Sequence, residues 1–115
     1  MSAFSEAELN YLQGERRLGR IATVGADGTP HVVPIGTWRY NPELDTIDVG
    51  GRDPAGTKWF RDVARSGRAA FVVDDLASTN PWSPRAVEVR GRAEALDGPQ
   101  ALVRIHADHV VSWGL

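Results

Sequence analysis

The chain is 115 residues long, 42% hydrophobic and 24% charged, with a formal net charge of −2. One domain of this size buries roughly two-thirds of its unfolded surface, and the near-balanced charge gives no argument for general nucleic-acid or anionic-membrane binding. The absence of cysteine excludes disulfides and thiolate chemistry. No apolar run reaches spanning length and no basic-then-apolar leader opens the chain, so a cytoplasmic protein is expected.

Ser5-Glu6-Ala7-Glu8 opens a short amphipathic helix, with Ser5 as cap, Glu8 placed for a capping box and Gly14 as its stop. Leu18 to Val24 reads as a strand, and Ala26-Asp27-Gly28-Thr29 as a hairpin turn, because Asp-Gly tolerates positive φ. His31 to Tyr40 continues as one strand, with Pro34 at an edge or bulge. Asn41 to Asp45 turns the chain into a third strand, Thr46 to Val49. Thr57 to Ser66 is a helix ended by Gly67. Ala69 to Val73 is a nearly continuous apolar strand, expected to be buried on both faces, and Asp74 to Pro84 is a loop. Arg85 to Leu96 alternates as a long strand, with Val87, Val89, Gly91 and Ala93 on one face and Glu88, Arg90, Arg92 and Glu94 on the other. After the turn at Asp97-Gly98-Pro99, Ala101 to His106 and His109 to Trp113 are short strands. Six or seven strands with hairpin turns and only two short helices predict a small, mainly β barrel and exclude a parallel Rossmann sheet.

The segment from Gly50 to Arg61 carries the chemistry. A strand empties into glycines and a helix opens, so backbone N–H groups become available to an anion. Arg52, Thr57, Lys58 and Arg61 add cationic and hydroxyl donors. This is either a phosphate cradle or a solvated strand-to-helix turn. It is not a P-loop: Gly51 and Gly56 have the right spacing, but Thr57-Lys58 inverts the required Lys-Ser/Thr order. The charged face of the long strand suits cross-strand or cross-subunit ion pairs, or plain solvation. If His106 and His109 lay on one strand, their spacing of three would put them on opposite faces, so a metal site is not expected. Trp38 and Trp59 read as core. Trp82, held between Pro81 and Pro84, is either core or the wall of a planar ligand's site. No nucleophile or acid–base pair stands out, so no catalytic side chain is assigned.

Several blocks together resemble the pyridoxamine 5′-phosphate oxidase-like split-barrel family of flavin and deazaflavin binders. They are Leu18 to Val24, Asp27 to Pro34, Thr57 to Val63, Ala70 to Asp75, Asn80 to Glu94 and Val110 to Gly114. The last two blocks resemble its small F-420-dependent oxidoreductase branch. The resemblance covers nearly the whole chain, residues 1–115, as one domain. It implies a six-stranded antiparallel split barrel that forms a homodimer, with cofactor sites at the subunit interface. It implies F-420 as cofactor, with FMN second, and hydride transfer to or from a small organic substrate. A non-catalytic carrier or sensor, and an FMN-dependent oxidase, are the other functions it allows. By the same resemblance Lys58, with Thr57 beside it, meets the cofactor phosphate. Val33, Pro34, Ile35 and Gly36 line the ring, Gly50, Gly51 and Arg52 lie beside the chain, and Trp82, Pro84 and Arg85 contact the ring or the partner subunit. Because such a cofactor carries the hydride chemistry itself, no side-chain acid or base is required.

Overall fold

The computed structural model describes residues 1–115. Helix α1 spans Glu6–Gln13, and its Ser5 cap forms the expected capping box: Ser5 Oγ accepts from Glu8 N at 3.1 Å while Glu8 accepts from Ser5 N at 2.7 Å. Strands β1 (Gly19–Val24) and β2 (Pro30–Ile35) form the predicted hairpin, with Gly28 at φ 84°. The single strand expected over His31 to Tyr40 is instead two, β2 and β3 (Trp38–Asn41). Gly36 and Thr37 separate them, and the two halves join opposite ends of the sheet order. Strand β4 (Thr46–Val49) follows, then one 3₁₀ turn at Pro54–Gly56 and helix α2 (Lys58–Ser66), which Gly67 terminates at φ 70°.

The largest departure lies between the long strands. Asp74 to Pro84 is not a loop: β5 runs from Arg68 to Thr79 and β6 from Trp82 to Leu96, so the two form one projecting hairpin. Its polar residues look like loop in sequence, yet they pair across the ladder, where Asp75 receives two hydrogen bonds from Arg85 at 2.9 and 2.6 Å. Strands β7 (Leu102–His106) and β8 (His109–Trp113) complete eight strands rather than six. His106 ends β7 and His109 opens β8, the separate strands expected from the sequence.

The order β2-β1-β5-β6-β7-β4-β3, all antiparallel, is a split barrel hinged on β6. The first half of β6 pairs with β5 and β8, and its last residues, Ala93 to Leu96, pair with β7. One strand thus belongs to both sheets. The core lies between them, built from inward positions such as Ile21, Phe71, Val87, Val89, Val103 and Ile105, each at most 1% exposed. Trp38 and Trp59 join it, as expected. Ala70 and Val72, on the other face of β5, are only half-buried, so that strand has one buried face and not two. No helix is long and apolar enough to cross a membrane.

Candidate functional site

The tight turn after β1 sets Ile21 opposite Val33 and Thr23 opposite His31, all pointing toward α2. These four, with Val32, Pro34, Lys58 and Trp59, line a cleft of 350 Å³ between β2 and the start of α2. That volume falls at the lower end of small-molecule sites, roughly 300–1,000 Å³. One wall is apolar. The other is β2 itself, an outermost strand whose free edge offers backbone donors and acceptors to a ligand lying alongside.

The start of α2 supplies the positive end. Thr57 caps the helix: its Oγ accepts from Phe60 N at 3.2 Å and donates to Pro54 O at 2.6 Å. Its hydroxyl proton is therefore engaged within the chain. The N–H groups of Lys58 and Trp59 have no backbone acceptor, as the first turn of a helix requires. Lys58 is half-exposed, and its Nζ lies 3.4 Å from Asp62, which also receives Thr23 Oγ1 at 2.8 Å and Arg65 at 3.2 Å. Burial alone would raise the Asp62 carboxyl. Hydrogen bonds from Thr23 and Arg65 and the Lys58 charge outweigh it and hold the group below the ordinary carboxylate range. Asp62 is thus ionised and braced from three sides, and it orients Lys58 without neutralising the site: Arg65 shares the same carboxylate.

Of the residues expected in the site, Val33, Pro34 and Lys58 come together here, with Thr57 immediately behind. Ile35 packs against the core at the end of β2, and Gly36 follows, its carbonyl accepting from Arg16 at 2.7 Å. Gly50 is tied to Thr37, which receives its N–H and donates to its carbonyl. Gly51, at φ 134°, and Arg52 open onto a different cleft, of 250 Å³, walled by the turn from Asp97 to Ala101. Trp82, 70% exposed, and Pro84 sit near the tip of the β5–β6 hairpin, outside the Lys58 cleft. Arg85 is engaged with Asp75 and lies over the Tyr11 ring at 5.3 Å. Ile21, Thr23, His31 and Trp59 were not expected in the site. The signal for the first three was the Asp27-Gly28 turn, whose register sets them face to face; Trp59 reads equally as core.

The arrangement fits a flat heterocycle carrying a phosphate. A cation and two free N–H groups stand at one end, an apolar wall and an open strand edge along the rest. The family profile described as pyridoxamine 5′-phosphate oxidase matches residues 5–112. A 5a,11a-dehydrotetracycline/5a,11a-dehydrooxytetracycline reductase of Streptomyces rimosus is 39% identical, over 97% of this chain and 84% of that protein. In fold, a conserved hypothetical protein of Mycobacterium tuberculosis superposes with a TM-score of 0.76 at 21% identity, covering 98% of this chain and 86% of its own. A solved F-420 reductase does so with a TM-score of 0.66 at 17% identity, covering 89% and 94%. The chain belongs to the pyridoxamine 5′-phosphate oxidase family and is an oxidoreductase built on its split barrel.

Proposed function

We propose that this chain is a reductase that holds F-420, or alternatively FMN, in the cleft between β2 and α2, and that it works as a homodimer. The observation that carries the reading is the convergence of Lys58 and the open start of α2 with the free edge and apolar side chains of β2. Lys58 and the N–H groups of Lys58 and Trp59 would receive the phosphate. The backbone of Val33 and Pro34 would run along the ring, while Ile21 and Trp59 keep water from its face. The bound cofactor supplies hydride transfer. The Streptomyces rimosus protein, named as a reductase of dehydrotetracyclines, supports a small organic substrate for this chain.

Separate titrations with FMN and with oxidised F-420, followed by fluorescence, test this reading. Saturable binding of F-420, weakened about tenfold or more by Lys58→Ala, is the expected result. Asp62 keeps Thr23 and Arg65 in that variant, so its fold should survive. Affinity unchanged by Lys58→Ala would remove that residue from the site, and binding of neither cofactor would end the proposal.

A further inference from the structure

A second cleft, of 460 Å³, shares no lining residue with the one at Lys58. On one side stand Ala7, Asn10 and Tyr11, whose spacing of three and four places them on one face of α1. On the other stand Arg17, just before β1, and the β5–β6 hairpin with Ala77 and Arg85. Ala77 is the residue at which β5 bulges. Leu76 pairs with Pro84 and Ser78 with Ser83, so Ala77 has no partner across the ladder and lines the cleft instead.

Its charges do not balance. Arg17 and Arg85 both pair with Asp75, at 2.9 and 2.6 Å, and with no other acid. Glu15, the next acid along, makes no ion pair with either. Two cations thus share one anion where the Arg17 side chain is only 12% exposed. Charge withdrawn from water is costly unless it is matched. Both guanidinium groups are also held in place. Arg17 Nη1 donates to the carbonyls of Tyr11 and Glu15 at 3.1 and 3.0 Å, and Arg85 grips both oxygens of Asp75. Arg17 Nη2 and Arg85 Nη1 are left with no acceptor in the chain. A rigid head with one positive charge in excess therefore opens on a cleft whose other walls include Ala7, Ala77 and Gly114.

We propose that this cleft is a binding site for a small organic carboxylate, separate from the cleft at Lys58. Arg17 and Arg85 receive its charge, and its apolar body lies between Ala7 and Ala77. One carboxylate brings the cluster to two cations and two anions, and its oxygens suit the two donors that the chain leaves over. A dianion would overshoot that balance, and a neutral ligand would leave the extra cation unmatched. The volume lies within the roughly 300–1,000 Å³ of small-molecule sites, so the ligand has an organic body and is not a bare ion. The arginines are fixed before any ligand arrives, so little side-chain freedom is lost on binding.

Amide-resolved NMR titration of the full chain with sodium benzoate, at constant ionic strength, tests the proposal. Saturable shifts centred on Asn10, Ala77 and Gly114 are the expected result. Arg85→Gln should weaken benzoate about tenfold or more, as loss of a charge-assisted contact does. Ala77→Leu keeps both arginines and sits at an exposed bulge, so it should fold normally and weaken benzoate by filling the cleft. Benzyl alcohol, a similar body without the charge, should bind about tenfold more weakly or worse. Should Arg85→Gln lose its dispersed spectrum, Ala77→Leu and the benzyl alcohol comparison decide the question. Absence of saturable shifts, equal affinity for benzyl alcohol, or affinity indifferent to Ala77→Leu overturns the proposal. So does inorganic phosphate binding at the same amides as tightly as benzoate, which would mark excess charge without a site for an organic body.

Discussion

At the scale of single residues, Gly91 shows how a hole in a pattern carries information. It interrupts the alternation of β6, and a Cβ there would run into the His106 carbonyl and come within 2.9 Å of Asp108 Oδ2. The turn between β7 and β8 crosses β6 at this point, and Asp108 fastens it by accepting from the backbone N of Arg92 at 2.9 Å and from its guanidinium. Backbone oxygen cannot swing aside as a long side chain can. Gly91→Ala should therefore lower stability by about 1–3 kcal/mol, the usual cost of overpacking. A urea midpoint shifted without a change of slope would show it. A glycine inside a strand signals a close approach of this kind, but the segment that approaches is a fact of the tertiary structure. The position of Lys58 at the start of α2 was legible for the opposite reason: it depends on that helix's own cap and stop, which local sequence determines.

At the scale of elements, the β5–β6 hairpin is where expectation and structure diverge most. Asp74, Asp75, Ser78, Asn80 and the prolines suggest a loop, since such residues favour turns. What holds the strands together is a cluster no local window contains. Asp75 accepts from Arg17 at 2.9 Å, from Arg85 at 2.9 and 2.6 Å and from Tyr11 Oη at 2.9 Å, with both guanidinium groups over the Tyr11 ring. The Arg85 hydrogen bonds are the chief reason the Asp75 carboxyl sits well below the usual carboxylate range, with burial opposing and Arg17 and Tyr11 adding to them. A depressed acid contributes stability that is complete above its unfolded value, near pH 4, and is lost as pH falls below it. Tyr11 works in the other direction. Burial first, then its hydrogen bond to Asp75, pushes it up to about 12, so its contribution is complete below pH 10 and disappears as pH rises toward 12. Asp75→Asn should flatten the acid side of the stability profile between about pH 4 and pH 2. Ultraviolet titration should show Tyr11 ionising well above pH 10, and normal ionisation there would contradict the hydrogen bond to Asp75.

At the scale of the whole molecule, one core is shared by two sheets because β6 runs through both. Phe71 is central to it: it is 1% exposed, its ring lies 5.1 Å from Trp38, and it fills the space that Gly19 leaves open. Phe71→Ala should cost about 3–5 kcal/mol. The loss should appear as a single cooperative transition, since neither sheet has a core of its own. Calorimetry showing two separate transitions would contradict that unity. The sequence by itself determined the elements whose causes are local. These are the Ser5 capping box, the Asp27-Gly28 hairpin, the helix between Thr57 and Gly67, the alternation of β6 and the family blocks that run along nearly the whole chain. Only the tertiary structure decided what depends on partners distant along the chain. It split the second strand at Gly36, because its halves pair at opposite ends of the sheet order. It turned an apparent loop into a hairpin, where Arg17 arrives from elsewhere to join Arg85 in offsetting the Asp75 charge and Tyr11 Oη donates a further hydrogen bond. It also separated Lys58 from Gly51 and Arg52, which are neighbours in the glycine-rich segment but open onto different clefts. Helix caps and turn hydrogen bonds act over a few residues and leave their mark in the sequence; burial, strand pairing and long-range hydrogen bonds and ion pairs act across the fold and do not.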